Sequence, residues 1–265
     1  MIKKSFCDQW DNLFTVFIAN LITLAITFGC VSLFIFCANN LNDLVTDLVI
    51  IVSSMIFSIL AFAYGECSAK IANFETARLV EFFKAIPGCI KDGVLFGLMV
   101  SVVGIVSVIG VTYYWSEEFL KQFQLFGVFL GALLIWLDVF FLLAIQWFIP
   151  IRSLMHNNFR KCLKKCLLIL FDNTGFSLAI FLHNVILTAL SVLFVGLFPG
   201  MAGITIASTN AMRLRLYKYD YLEEHPELQG KRQRRKIPWE ELIYDDKETL
   251  GPRKLKSFLF PWKAD

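Results

Sequence analysis

Five long apolar runs alternate with polar or basic segments along the chain. Each run reaches the length of about 20 residues that a helix needs to cross the hydrocarbon core of a bilayer. Because every backbone polar group must be hydrogen-bonded in that core, the pattern predicts an all-α fold, a polytopic bundle of transmembrane helices. The runs cover residues 13–38, 44–64, 94–115, 125–149 and 176–198.

A sixth and shorter candidate helix follows the breaker sequence FPG at 198–200. Residues 201–217 are only moderately apolar. With five crossings alone, however, Arg213 and Arg215 would lie on the opposite side of the membrane from the basic segments earlier in the chain. Since basic segments remain on the cytoplasmic side, we predict that 201–217 returns through the bundle as a short sixth helix.

Lysine and arginine are concentrated in two of the connections between the runs. Segments 65–93 and 150–175 are basic, whereas 39–43 and 116–122 are neutral or acidic. The positive-inside rule then places the N-terminus, both basic connections and, with six crossings, the C-terminus in the cytoplasm. We therefore predict a multi-pass protein of the cytoplasmic (inner) membrane.

Each basic connection contains an amphipathic segment, one near 71–87 and one near 151–171. In the first, Phe82 and Phe83 share a face, and Pro87 is expected to end the helix. Such helices lie at the level of the headgroups and contact anionic lipids, or alternatively bind a cytoplasmic partner. Lipid or partner contacts are predicted for Lys161, Lys164, Lys165, Arg234, Arg235 and Trp262.

These patterns divide the chain into a transmembrane bundle, 1–217, and a charged cytoplasmic tail, 218–265. The tail alternates blocks of opposite charge, and KRQRRK at 231–236 is its densest basic cluster. Beside a membrane, such a cluster favours attraction to anionic lipid headgroups over nucleic-acid binding. We therefore expect no nucleic-acid partner.

Composition agrees with a membrane protein and offers no catalytic motif. Hydrophobic residues make up 57% of the chain, above the globular average of about 45–50%, and the net charge is only +3. The seven cysteines form no CxxC pair, and no phosphate-binding loop, HExxH or GxSxG motif occurs. The sequence therefore predicts a protein that is not an enzyme and has no cofactor or metal site.

Small residues recur at helical spacing in two of the runs. Gly93, Gly97 and Ser101 repeat every four residues at the start of the third run, and Gly127 and Gly131 do so in the fourth. Lipid gives helices no hydrophobic reason to associate, so close packing depends on small side chains that let two backbones approach. We predict a tight helix contact at each stripe.

One carboxylate, Asp138, lies inside the apolar sequence ALLIWLDVFFLLAIQW at 132–147. Counted from Ile149 at about 1.5 Å per residue, it lies about 16 Å deep, near the bilayer midplane. No lysine or arginine reaches that level. Other polar residues predicted to lie at or near it are Ser53, Ser54, Thr188 and His183.

Two roles remain open for Asp138. Without a nearby cation, we expect a neutral carboxylic acid that is hydrogen-bonded to a hydroxyl of another helix, which would hold the helices together. Alternatively, it is a proton or cation site in a polar pathway. Replacement by asparagine separates the two roles.

Three segments carry a family resemblance: WDNLF at 10–14, FETARLVEFFKAIPGCIKDGVLFGL at 74–98 and WFIPIRSLMHNNFRKCLKKCLLIL at 147–170. In this pattern the chain resembles the YesL-like family of bacterial integral membrane proteins, although it lacks a Pro-Gly turn after the first helix and adds the long tail. The resemblance implies a supporting role beside solute uptake systems. It carries over no catalytic or binding residue.

We therefore expect a non-enzymatic accessory or assembly protein that binds a membrane transporter or a cytoplasmic protein. The alternative is a small solute or ion transporter that uses the polar level around Asp138. A permease subunit fits less well, because its coupling segment would need glycine where Glu81 stands. The sequence leaves the oligomeric state open.

Overall fold

The computed structural model of the protein describes residues 1–228 and 237–251. Over this part of the chain the regular secondary structure is entirely helical, which confirms the all-α prediction. The helices are α1 (Ile2–Asp11), α2 (Leu13–Asn40), α3 (Asp43–Ala72), α4 (Leu79–Tyr114), α5 (Glu117–Ile145), α6 (Phe148–Met155), α7 (Phe159–Asp172), α8 (Thr174–Leu193), α9 (Gly200–Glu224), α10 (Trp239–Leu242) and α11 (Tyr244–Leu250).

Five of these elements are long and apolar enough to cross a membrane: α2, α3, α4, α5 together with α6, and α8. Their outer faces expose large apolar side chains, among them Phe28, Val106 and Leu125. A continuous apolar surface of this extent suits hydrocarbon rather than water. The chain is therefore a multi-pass membrane protein whose spans contact the lipid bilayer.

Helices α3 and α4 pack antiparallel along the first stripe of small residues. A Cβ atom added to Gly97 would lie 2.5 Å from Cα of Met55, and one added to Gly93 would lie 2.8 Å from Cα of Ile59. The Ser54 hydroxyl donates a hydrogen bond of 3.0 Å to the carbonyl of Gly97. Only glycine allows the two backbones to approach this closely.

The second stripe lies against the turn between α4 and α5. Gly127 faces the carbonyl of Tyr114, and Gly131 faces the indole ring of Trp115. Ser101, the third member of the first stripe, is buried on α4. The two stripes therefore serve different contacts, one between neighbouring spans and one at the end of a hairpin.

Helix α9 returns alongside α8 with a constant antiparallel register. Three hydrogen bonds define that register: Ser191 with Gly200 at 2.9 Å, Asn184 with Ser208 at 3.0 Å and Asn173 with Tyr219 at 2.6 Å. Since these pairs extend over nearly the whole of α8, the end of α9 lies beside the start of α8. Helix α9 therefore runs antiparallel to α8 along most of its length; a sixth crossing by 201–217 stays a prediction.

The predicted sixth segment, 201–217, lies within α9 and inside the bundle. Ala202, Ile206, Thr209 and Asn210 are almost completely buried. Thr209 donates a hydrogen bond to the carbonyl of Thr205 over 2.8 Å, so burial of its hydroxyl costs little free energy. Because neighbouring helices surround α9, it does not need the apolar surface that the five span-capable elements have.

Asn20, on α2, holds the beginning of α9 in place. Its amide nitrogen donates to the carbonyls of Leu197 and Pro199 over 3.0 and 2.8 Å, and its amide oxygen accepts from the N–H of Ala202 over 2.9 Å. One buried side chain thus satisfies several backbone groups of an irregular segment within the bundle, as a non-aqueous environment demands.

The two ends of the bundle differ in construction. At one end, here termed the turn end, two-residue connections at 41–42 and 115–116 join the spans. At the other, here termed the basic end, α1, α6, α7, α10 and α11 pack around the ends of the spans. Arg152 on α6 contacts both α3 and α4 there, and Arg213 on α9 contacts α11.

The amphipathic segments differ from their predicted form. Instead of ending at Pro87, α4 begins at Leu79 and continues through this proline to Tyr114. Pro87 has no backbone N–H to donate, but its φ suits a helix. The packing of α4 on α3 maintains the helix beyond this residue. The segment near 151–171 is divided between α6 and α7 by His156, whose φ is 48°.

Candidate functional site

Asp138 lies on α5 and faces α4. The hydroxyl of Ser107 on α4 donates a hydrogen bond to its carboxylate. Four cavities of the described part of the chain have linings that do not include Asp138. The acid is therefore engaged in a helix contact.

The other polar residues predicted near this level are not brought together with Asp138. Ser54 donates to Gly97, Thr188 donates to the Asn184 carbonyl of its own helix, and His183 is half-buried on α8. Ser53 lines a mainly apolar groove among α2, α3 and α4. The hydroxyls of Ser54 and Thr188 therefore bond to a backbone carbonyl of the neighbouring helix or of their own helix.

The sequence alone did not identify Ser107 as the hydrogen-bond partner of Asp138. The same depth count places it about 12 Å from the end of the third run at Trp115, a plausible level for a partner of Asp138. The count was informative about depth, but it could not identify which of several neighbouring helices the carboxylate faces.

A cluster of charged side chains at the basic end is centred on Arg152. Its guanidinium forms an ion pair with Glu66 on α3 and another with Asp92 on α4, where Nε lies 3.0 Å from Oδ2. It also donates to the carbonyl of Gly88 over 3.1 Å and lies 5.5 Å from the ring of Phe62. One side chain thereby joins α3, α4 and α6.

Next to Arg152 is a cavity of about 570 Å³, here termed the mixed-charge cavity. Its lining includes Glu66, Lys70, Glu81 and Lys84. Lys70 and Glu81 form an ion pair of 3.0 Å across it. Lys84 is exposed and has no ion-pair partner among the described residues. The lining therefore presents charges of both signs to a binding partner.

A second cavity, of about 680 Å³ and here termed the cationic cavity, shares Arg152 and His156 with the first. Its walls come from α4, from the α6–α7 connection and from the first turn of α7. Lys91, Arg160 and Lys161 line it, and Asp92, already paired with Arg152, is its acidic residue. This cavity therefore has an excess of positive charge.

Helix α1 contains a buried ion pair, and a side chain of α9 is hydrogen-bonded to it. Nζ of Lys4 lies 2.9 Å from Asp8, and both side chains are more than nine-tenths buried. Asn210 on α9 donates to the same carboxylate over 2.7 Å. Burial lowers the pKa of Lys4 and raises the pKa of Asp8, because loss of water disfavours both charged forms.

The described part of the tail packs against the bundle. Arg213 on α9 donates to the carbonyl of Ala72 over 2.6 Å and forms an ion pair of 3.2 Å with Asp246 on α11. Tyr217 donates to the same carboxylate over 3.2 Å. Residues 237–251 therefore pack at the basic end, although the sequence assigned them to a charged tail separate from the bundle.

The predicted lipid or partner contacts are only partly described. Lys161 and Lys164 on α7 are exposed, and Nζ of Lys165 lies 3.4 Å from the sulfur of Met155. The other three predicted contacts, Arg234, Arg235 and Trp262, lie outside the described residues. Of the three described lysines, Lys161 contributes to a cavity wall.

The seven cysteines form no disulfide, and two of them lie on the inner face of α7. Cys162 and Cys166 are buried, and burial raises the pKa of the Cys162 thiol to about 11. Among the described residues, no group of three or more histidine, cysteine, aspartate or glutamate side chains is placed to hold a metal ion.

Comparison with known proteins adds no family to this geometry. No family model, no curated protein and no solved structure matches the chain. The residues around Arg152 are therefore interpreted from their chemistry alone.

Proposed function

We propose that the protein is a non-enzymatic accessory protein of the cytoplasmic membrane that binds another protein at its basic end. The mixed-charge cavity is the proposed contact. The observation that carries this proposal is the asymmetry of the bundle: short helices and charged cavities occupy the basic end, whereas two-residue turns join the spans at the other.

The charges of the mixed-charge cavity support a protein partner. Arg152, in the wall of this cavity, forms ion pairs with two carboxylates. These pairs hold its side chain in place and neutralise its positive charge. Lys84 at the rim remains available, and exposed charges of this kind determine the orientation and rate of association. A partner with an acidic side chain opposite Lys84 fits this rim.

The positive-inside rule supports a cytoplasmic location for this surface, because segments 65–93 and 150–175 both contribute to it. A partner could then be a cytoplasmic protein or the cytoplasmic face of a membrane transporter. The resemblance to YesL-like proteins favours a solute uptake system as the assembly that is supported.

Co-purification in mild detergent tests the proposal. We expect a stoichiometric protein partner with the unmodified chain and loss of that partner with Lys84→Glu, which places a negative charge at the rim. The matched control is Lys121→Glu, which reverses the charge of an exposed side chain at the turn end. This variant should retain the partner. Absence of a stoichiometric partner, or equal retention by both variants, would contradict the proposal.

The alternative function, transport at the level of Asp138, has less support because the carboxylate is bonded to Ser107 and lines none of the four cavities. Solute or ion flux into liposomes containing the protein, abolished by Asp138→Asn while the fold remains intact, would favour transport instead.

A further inference from the structure

The cationic cavity contains three basic side chains that have no ion-pair partner among the described residues. Lys91 comes from α4, whereas Arg160 and Lys161 come from α7. All three are exposed. Like charges brought together in this way repel one another, so an anion bound between them would stabilise the arrangement.

Backbone and side-chain donors add to this positive potential. Asn158, at the N-cap of the 14-residue helix α7, makes no side-chain capping hydrogen bond. The N–H of Lys161 donates to the Asn158 carbonyl, which leaves the N–H groups of Phe159 and Arg160 as donors, and the helix dipole favours an anion at this end. The side-chain nitrogen of Asn157, which also lines the cavity, is buried and has no partner among the described residues.

An apolar surface adjoins the cationic cavity along α4. Leu95 lines the cavity one helical turn beyond Lys91. Leu98 and Val102 continue the same face of the helix, and all three apolar side chains are two-fifths or more exposed. A lysine followed by an exposed apolar stripe marks the level at which a lipid headgroup gives way to its acyl chain.

We propose that the cationic cavity is a binding site for the phosphate group of an anionic phospholipid. Lys91, Arg160 and Lys161 neutralise the phosphate, and the N-terminus of α7 donates hydrogen bonds to it. The acyl chains then lie along Leu95, Leu98 and Val102. Free phosphate offers the same anionic chemistry, but it would leave this apolar stripe unused.

This inference does not depend on the proposed protein partner, because Lys91, Arg160 and Lys161 line the cationic cavity and not the mixed-charge cavity. In the mixed-charge cavity Lys70 is paired with Glu81, which leaves Lys84 as its lysine without an ion-pair partner among the described residues, whereas the cationic cavity has three such basic side chains. Lys84→Glu should therefore abolish partner binding and leave lipid binding unchanged.

Native mass spectrometry of the full chain in detergent tests the site. Phosphatidylglycerol and phosphatidylcholine with identical acyl chains are titrated separately, with inorganic phosphate as a competitor in a third series. The cavity variant combines Lys91→Gln, Arg160→Gln and Lys161→Gln. Its control combines Lys3→Gln, Arg78→Gln and Lys247→Gln, which removes two lysine charges and one arginine charge, as in the cavity variant, from exposed positions outside the cationic cavity.

We expect one phosphatidylglycerol molecule to bind in preference to phosphatidylcholine. The cavity variant should bind it at least about tenfold more weakly, and the control variant should bind it almost as the unmodified chain does. Lys91→Gln alone, which changes one exposed side chain on α4, should give a smaller loss in the same direction and serves if the triple variant fails to fold.

Three results would overturn the proposal. Equal weakening in the cavity and control variants would mean that the lipid responds only to the general charge of the basic end. Equal affinity for phosphatidylcholine would mean that the phosphate of an anionic lipid is not selected. Displacement of the lipid by inorganic phosphate at equal concentration would identify free phosphate as the ligand.

Discussion

Replacing Gly97 with alanine should separate α3 from α4. The added Cβ would lie 2.5 Å from Cα of Met55, 2.6 Å from its nitrogen and 2.7 Å from the carbonyl oxygen of Ser54. All three are backbone atoms, which cannot move away by changing a rotamer. Carbon atoms in contact are about 3.5 Å apart, so the helices must separate by about 1 Å.

The expected cost is about 1–3 kcal/mol, as for other overpacked contacts, with a further loss of about 0.6 kcal/mol if the Ser54 hydrogen bond breaks. The matched control is Gly104→Ala on the same helix, where an added Cβ would meet nothing within 4 Å. Both changes bring the same gain in helix propensity, so that gain cancels in the comparison.

Thermal unfolding of the purified protein in one detergent, followed by tryptophan fluorescence, measures the difference. We expect Gly97→Ala to lower Tm by several degrees relative to Gly104→Ala, since about 1 kcal/mol corresponds to about 2–4 °C at this chain length. A Tm for Gly97→Ala equal to or above that of the control would refute the inferred backbone contact.

Three further predictions follow from the polar contacts. Ser107→Ala should lower Tm, because the carboxyl of Asp138 loses its hydroxyl partner, whereas Asp138→Asn should keep an acceptor and unfold close to the unmodified protein; the reverse order would contradict that contact. Cys162 should react with N-ethylmaleimide at pH 7.5 far more slowly in the folded than in the denatured protein, because burial raises the pKa of its thiol to about 11, and peptide mapping measures both rates; equal rates would show that it is not buried. Asp8→Ala should destabilise by about 3–5 kcal/mol, because it leaves the ammonium of Lys4 buried and unpaired, whereas Lys4→Met combined with Asp8→Leu should cost much less; an unchanged Tm for Asp8→Ala would count against the buried pair.

The spans were predictable because hydropathy and length are properties of contiguous sequence. The first run was predicted to begin at residue 13, where α2 begins, and the end of the third run at 115 lies one residue beyond the end of α4. The start of α4 was not predictable in this way, because Pro87 is a helix breaker by local preference and is tolerated here through packing against α3.

The candidate site was much less predictable than the spans. Arg152 joins Glu66 and Asp92, which are 86 and 60 residues away in the chain, so no local pattern relates them. In the sequence, Arg152 served only as one of the charges that indicate the cytoplasmic side. The partner of Asp138 was missed for a similar reason, since depth alone does not specify which helix a carboxylate faces.

The most direct test of the central claim is the side of the membrane on which the basic end lies. Single cysteines are introduced at Lys84, Glu118 and Asp245, which are exposed on α4, α5 and α11, and are labelled in intact cells with a membrane-impermeant maleimide. The unmodified chain, with its seven native cysteines, measures the background. We predict that position 118 is labelled in intact cells, whereas 84 and 245 are labelled only after permeabilisation. Labelling of position 84 in intact cells would contradict the proposed cytoplasmic binding surface, and labelling of 245 alone would contradict the sixth crossing.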